Sequence, residues 1–182
     1  MLETIAFGGG CFWCTEAVFK MLAGVTAVEP GYTGGTVPNP TYEQVLKGKT
    51  GHAEVTQVTF RPDQITLLDL LNVFFSSHDP ATKNRQGPDI GSQYRSIILF
   101  NSERQHKQIN AYLRKLRDDG VAIATEVKPL KRFYPAEDHH HHYYTNNRGA
   151  AYCRLIIDPK LQKLQREFSP LLKRNQKHER RQ

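Results

Sequence analysis

The sequence predicts one domain of layered α/β or α+β type. Strand-like and helix-like stretches are interspersed along the chain. No internal repeat and no linker interrupts them. A length of 182 residues supplies one sizeable core rather than two. Composition agrees, since 38% hydrophobic and 24% charged residues give a soluble globular profile. No run approaches the length of a membrane span. The N-terminus lacks the basic-then-apolar pattern of a secretory signal, so the expected location is the cytoplasm.

Taken in order, Thr4 to Phe7 reads as a strand and Cys11 to Leu22 as a helix closed by Gly24. Val25 to Tyr32 reads as a second strand. Thr33 to Thr41, rich in Gly, Pro and Asn, is a loop, followed by a short helix from Tyr42 to Leu46. The turn Gly48-Lys49-Thr50-Gly51 leads into a strand from Ala53 to Phe60. Thr66 with Asp69 fits a capping box opening an apolar helix to Phe75. His78 to Ser92 is a long polar loop of the kind that carries function. Ser96 to Phe100 is a buried-type strand. Ser102 with Gln105 opens a helix ending near Gly120, and Ile123 to Lys128 is a strand. Phe133 to Gly149 is irregular, with one helical turn. Tyr152 to Ile157 reads as a last strand, and Pro159 to Leu172 as a helix.

The run Gly8-Gly9-Gly10-Cys11-Phe12-Trp13-Cys14 is the most informative stretch. The glycines let the chain turn tightly into the helix. Cys11 is expected in its first turn, where unpaired N–H groups and the dipole favour thiolate over thiol, as a nucleophile requires. The lone tryptophan, Trp13, suggests a small apolar pocket beside the sulfur. Three cysteines cannot form a fully paired disulfide scaffold. Cys11 and Cys14 form C-x-x-C, which reads as a dithiol or as half of a zinc site. Zinc would need Cys153 and the run His139 to His142, and neighbouring residues rarely all face one ion. The Phe-Trp spacer is bulky for a general disulfide exchanger. Of the four consecutive histidines, at least three read as solvent-exposed.

Other candidates carry no chemistry by spacing alone. Glu54 reads as an exposed strand carboxylate. Tyr42 and Tyr94 flank polar loops, and Asp89 reads as a turn former. Much of the net charge of +7 comes from one end, where Lys173, Arg174, Lys177, Arg180 and Arg181 fall. With no interleaved aromatics, this end reads as a solvated tail rather than a nucleic-acid or membrane contact. The expected organisation is a catalytic domain over 1–172 and a basic tail over 173–182.

Several blocks together resemble one family, the A-type peptide-methionine sulfoxide reductases. They are Gly9-Gly10-Cys11-Phe12-Trp13, Gly31-Tyr32-Thr33-Gly34-Gly35, Asn39-Pro40-Thr41-Tyr42, Thr50-Gly51-His52-Ala53-Glu54, His78-Asp79-Pro80, Asn84-Arg85-Gln86-Gly87, Gln93-Tyr94-Arg95-Ser96, Phe133-Tyr134-Pro135-Ala136-Glu137-Asp138 and Tyr152-Cys153. They run in family order over most of the chain. The resemblance implies a single α+β domain, a two-layer sandwich with a ferredoxin-like mixed-sheet core and long wrapping loops. It implies reduction of the S epimer of methionine sulfoxide, free or in oxidised proteins and peptides. Cys11 then stands at the nucleophile, Glu54 at the acid, and Tyr42 and Tyr94 at the hydroxyls that bind the sulfoxide oxygen. Phe12 and Trp13 stand at the methyl pocket and Asp89 at a lining carboxylate. Cys153 stands at the resolving cysteine, with Cys14 a relay or an alternative to it. His140 stands at the family histidine and is taken as substrate-binding, although its neighbours His139 and His141 depart from the family pattern, as does Pro88 before Asp89.

A thiolate attacks the electrophilic sulfur while an acid and hydrogen-bond donors take up charge on oxygen. The resulting Cys11 sulfenic acid condenses with a second thiol. No metal or organic cofactor is implied, only an external reductant, thioredoxin by resemblance, and a monomer is expected. Two other readings fit the aromatic pocket: a C-x-x-C thiol–disulfide exchange protein, and a binding module for Met-containing segments.

Overall fold

A computed structural model describes residues 1–173. In chain order its elements are β1 (Glu3–Gly8), α1 (Phe12–Lys20), β2 (Val25–Thr33), α2 (Tyr42–Leu46), β3 (Ala53–Phe60) and α3 (Leu67–Ser77). There follow the two-residue strands β4 (Arg85–Gln86) and β5 (Asp89–Ile90), then β6 (Ile97–Phe100), α4 (Glu103–Asp118), β7 (Glu126–Pro129) and β8 (Tyr134–Pro135). The described residues end in α5 (Tyr143–Asn146), a π-helical stretch (Cys153–Ile157), α6 (Asp158–Glu167) and a short turn (Ser169–Leu171).

Six strands form one mixed sheet in the order β7-β6-β1-β3-β2-β8. The central four make two interleaved β-α-β units, β1-α1-β2 and β3-α3-β6, each with one strand of the other inserted between its own. All pairs are antiparallel except β6 with β7. This is the ferredoxin-like arrangement, with β7 and β8 added at the edges. Strand alternation sorts the side chains. Ile5, Phe7, Val58 and Phe60 enter the large core under α1, α3, α4 and α6, and Phe7 packs on Phe19 and Phe74. Ala6, Ala53, Val55, Ile97 and Leu99 form a smaller cluster on the opposite face, closed by Leu130 and Phe133. The even positions of β3 therefore face the helices, and this parity puts Glu54 and Thr56 beneath the start of α1 rather than in water.

Local chemistry fixes the helix starts. Thr41 with Gln44 and Thr66 with Asp69 are complete capping boxes. At α4 the box is split: Ser102 Oγ accepts from Gln105 N–H, but the Gln105 side chain accepts from Asn101 N–H instead. The expected helix over 11–22 spans Phe12–Lys20, and Cys11 is its N-cap rather than a first-turn residue. The strand expected from Ile123 begins at Glu126.

Tyr152 to Ile157 is not a strand. It is helical and runs directly into α6, because Cys153, Ile157, Leu161 and Leu164 fall on one face at helical spacing and all four are buried. The sheet edges are occupied instead by β7 and β8. Pro159 sits at the start of α6, where a missing N–H does little harm. Pro170 closes the following turn, so the helix expected to reach Leu172 stops at Glu167. Lys173 is docked through its backbone N–H to Met21 O, and the rest of the basic tail, 174–182, lies outside the described residues. Among the described residues no helix is long and apolar enough to cross a membrane.

Candidate active site

Cys11 caps α1 with extended backbone (φ −62°, ψ 131°), and its side chain makes no capping bond. Gly10 before it has φ 93°, a left-handed conformation, and a Cβ there would lie 2.8 Å from Gln86. Gln86 is itself fixed by Asp79, whose N–H donates to Gln86 Oε1 at 3.1 Å and whose carbonyl accepts from Gln86 Nε2 at 3.0 Å. Gly10 thus serves close packing between the β4 hairpin and the turn that carries Cys11.

The unpaired N–H at the start of α1 finds its partner far away in sequence. Phe12 N–H donates to Glu54 Oε2 at 3.1 Å. The other oxygen, Oε1, is buried with no hydrogen-bond partner among the described residues. Burial raises the Glu54 pKa from 4.5 to about 8, opposed by the Phe12 N–H hydrogen bond and assisted by the negative charge of Asp89. This favours the neutral acid, and at 1% exposed Glu54 is not the exposed strand carboxylate that spacing alone suggests but a buried acid, as the resemblance implies.

The same burial overturns the expectation of a thiolate at Cys11. Desolvation, then the neighbouring Glu54 and Cys14, push its thiol well above its ordinary range, and the Trp13 N–H recovers only part of this. The helix N-terminus favours the anion as expected, but burial outweighs it. Cys11 and Glu54 thus face each other as a thiol and a carboxylic acid.

An aromatic wall surrounds this pair. Cys11, Phe12 and Tyr32 are buried together, with Trp13, Tyr42, Tyr94 and Tyr152 packed around them. The Tyr42 and Tyr94 hydroxyls are shifted upward by burial and then by the negative charge of Glu54. His140 is the buried member of the histidine run. It lies against Phe12 and Tyr42, with ring centres 5.2 and 4.3 Å away. Trp13 Nε1–H donates to His140 Nδ1 at 3.1 Å, so the ring proton resides on Nε2. Burial, reinforced by His139, lowers the His140 pKa to about 4 and keeps it neutral. His139 and His142 are exposed, whereas His141 is half-buried and bonds to Ala136 O, so fewer of the run face solvent than the sequence suggested. Among the described residues no group of three or more His, Cys, Asp or Glu side chains is arranged to hold a metal ion.

Asp89 and Cys14 border a cavity beside Cys11. This cavity, of about 230 Å³, is lined by Gly10, Cys11, Cys14, Asp89, Tyr152 and Lys160. Cys14 is 4% exposed, and its N–H donates to Cys11 O at 3.1 Å. Cys153 is fully buried and belongs to the main core cluster together with Cys14, not to the aromatic cluster around Cys11. All three thiols are free.

Some residues that shape the site carried little signal in the sequence. Glu137 accepts from Tyr32 Oη at 2.7 Å and from Tyr42 N–H at 2.8 Å, tying the 133–142 segment to the aromatic wall. Its place in the Phe133 to Asp138 block was the only signal. Glu137→Ala strands a buried hydroxyl and a backbone N–H, and is expected to cost about 1–3 kcal/mol in urea denaturation. An unchanged midpoint would show that these bonds carry no net stability. Glu16, buried in α1, accepts from His142 N–H at 2.8 Å and pairs with Lys20. It fastens the end of the histidine run beside Trp13. Tyr152 falls in a stretch that reads as a strand but is helical here.

Known proteins match this arrangement. The profile of the family described as peptide methionine sulfoxide reductase covers residues 3–171. The peptide methionine sulfoxide reductase MsrA of Sulfolobus acidocaldarius is 55% identical over 171 residues, 92% of this chain and 96% of that protein. Among solved structures, reduced Mxr1 from Saccharomyces cerevisiae superposes with a TM-score of 0.76 at 35% identity, over 84% of this chain and 89% of that one. Mxr1 in complex with Trx2 superposes with a TM-score of 0.54 at 26% identity, over 78% of this chain and 84% of that one. The chain therefore belongs to the peptide methionine sulfoxide reductase family and, within it, to the A type.

Proposed function

We propose that this chain reduces the S epimer of methionine sulfoxide through Cys11 and Glu54. The observation that carries the reading is a buried carboxyl, with one oxygen free of hydrogen-bond partners among the described residues, beside a buried thiol. Cys11 Sγ attacks the sulfoxide sulfur as Glu54 gives its proton to the oxygen. The carboxylate so formed takes the Cys11 thiol proton. Oxygen leaves the substrate as hydroxyl bonded to Cys11 sulfur, methionine departs, and Glu54 is again protonated. Cysteine is oxidised to sulfenic acid as the sulfoxide is reduced.

Tyr42 and Tyr94 supply hydroxyls toward the same oxygen, in the manner of an oxyanion hole. Phe12, Trp13 and His140 form the apolar wall suited to the substrate methyl group, and Asp89 lines the cavity beside Cys11. A second thiol, Cys14 or Cys153, then displaces the sulfenic hydroxyl. An external dithiol reduces the disulfide, and the complex recorded for Mxr1 with Trx2 supports a thioredoxin in that role. The cycle draws on thiols alone and uses no other cofactor. Three free thiols suit a cytoplasmic setting.

Methionine sulfoxide supplied with dithiothreitol should give continuous methionine formation, whereas an insulin-disulfide assay should show little activity, since Cys11 and Cys14 are 7% and 4% exposed. Insulin reduction without methionine formation would instead identify a thiol–disulfide exchange protein. The domain is assigned to 1–172 and the tail to 173–182. Removing 174–182 is expected to leave turnover and melting temperature within error, and a large loss of either would place the tail in the domain.

A further inference from the structure

We propose that Tyr152 and Asp89 form a proton relay that makes Cys14 the thiol that resolves the Cys11 sulfenic acid. The inference rests on the reductase reading above and adds a role for a tyrosine outside the reductive chemistry. Tyr152 Oη lies 3.7 Å from Cys14 Sγ and donates at 2.9 Å to Asp89 Oδ2. A phenol has one proton, and it is committed to the carboxylate, so the contact with sulfur is completed by the Cys14 S–H donating to the phenol oxygen. The three groups form one directed chain, S–H to O–H to carboxylate, ending at the cavity that Asp89 shares with Cys11 and Cys14.

Such a chain answers a specific need. Cys14 is buried, and its thiol is raised to about 11, so it holds few thiolates at neutral pH without a base. Among the described residues its charged and titratable neighbours are Lys160, Tyr152, Asp89, Cys153 and Cys11 itself. Glu54 is not among them and serves Cys11 instead. Asp89 is the one carboxylate in the Cys14 set. It is only half-buried, with the Tyr152 hydrogen bond and Lys160 opposing the upward pull of burial. Lys160 is anchored by donating to Ser77 O at 2.6 Å, which leaves the carboxylate as the proton acceptor. Tyr152 is held by its edge-on contact with Trp13, ring centres 5.7 Å apart, so the phenol is positioned by the aromatic wall itself.

The step balances as follows. The Cys14 proton passes to Tyr152 Oη as the Tyr152 proton passes to Asp89. The Cys14 sulfur lone pair forms the S–S bond with Cys11 Sγ. The Cys11 S–O bond breaks, and its hydroxyl takes the Glu54 proton and leaves as water. Cys14 sulfur is oxidised and Cys11 sulfur is reduced, with no other reactant required. The backbone already brings the two residues together, with Cys14 N–H bonded to Cys11 O. Cys153, packed in the same core cluster as Cys14, then follows by thiol exchange rather than acting first.

The test uses the full chain, reduced, with one equivalent of S-methionine sulfoxide and no external reductant. Released methionine and the disulfide are timed separately, the latter by acid quench and peptide mapping. Tyr152→Phe keeps the ring and removes the hydroxyl. It is expected to slow Cys11–Cys14 bond formation about 100-fold, the low end for a lost general base, with the effect falling on that step rather than on methionine release. The wild-type disulfide rate should level off once Asp89 is ionised, while the variant rate climbs with pH toward the ionisation of the thiol itself. In Cys14→Ser, which guards against a folding defect in the tyrosine variant, Cys11 sulfenic acid should persist and be trapped by dimedone. A wild-type disulfide rate in Tyr152→Phe, or a first bridge between Cys11 and Cys153, overturns the relay. If no methionine is released at all, the reductase reading fails. One equivalent of hydrogen peroxide then generates the sulfenic acid, and the same comparison still tests the relay.

Discussion

Cys11→Ser is expected to release no methionine, even in a single turnover with enzyme in excess. The hydroxyl is a far weaker nucleophile, and serine cannot accept oxygen as a sulfenic acid. The other two thiols cannot substitute. Cys153 lies in the core cluster away from the aromatic wall, and Cys14 has Tyr152 and Asp89 for partners rather than Glu54. Folding should survive, because serine is smaller than cysteine and the Cys11 side chain makes no capping bond. Stoichiometric methionine from this variant, checked by amino-acid analysis, would remove Cys11 from the mechanism.

Glu54→Gln should slow the reductive step by about 100-fold or more, the usual range for a lost general acid. The wild-type step should be flat through neutrality and decline above pH about 8, where Glu54 loses its proton. The glutamine variant should show no such decline, and a single-turnover pH series distinguishes the two. Stability moves in the opposite sense. The unfolded chain ionises Glu54 near 4.5 and the folded chain near 8, so between these values the folded state holds the extra proton. Its stability is therefore fully present below the lower value and falls as pH rises toward the upper one, by about 1.4 kcal/mol per unit at most. Glutamine carries no such proton, so Glu54→Gln should resist urea better than wild type at pH 8 and about equally at pH 4. Equal urea midpoints at pH 8 would show that the carboxyl is not held neutral by the fold. A gain in stability with a loss of rate is the trade expected of a buried catalytic acid.

The run from Gly8 to Cys14 was legible because one contiguous segment fixes it: a strand, a tight turn and a helix start leave Cys11 nowhere else to sit. Glu54 was not legible from its own surroundings. Strand parity assigns it a face, but only the packed structure shows that the start of α1 covers that face and that Phe12 N–H needs an acceptor. The thiolate expected at Cys11 failed for the same reason, since the dipole is a local property whereas burial is supplied by Tyr32, Tyr42 and Tyr94 from distant segments. The ferredoxin-like strand order came from the resemblance and is present in the sheet, while interspersed elements alone left α/β and α+β both open. Tyr152 to Ile157 reads as a strand in isolation, and its helical spacing becomes evident only when followed through Pro159 into α6. The strand reading conceals Tyr152, and with it the link between Cys14 and Asp89.

The most direct test of the account is single-turnover product analysis with chirally pure sulfoxides. Reduced enzyme is mixed with the S or the R epimer of methionine sulfoxide without external reductant, then quenched and mapped. The account predicts one methionine per chain from the S epimer, a matching loss of two thiols with Cys11 in the new disulfide, and no methionine from the R epimer. Methionine formed with Cys11 still a free thiol, or formed equally from both epimers, would contradict it.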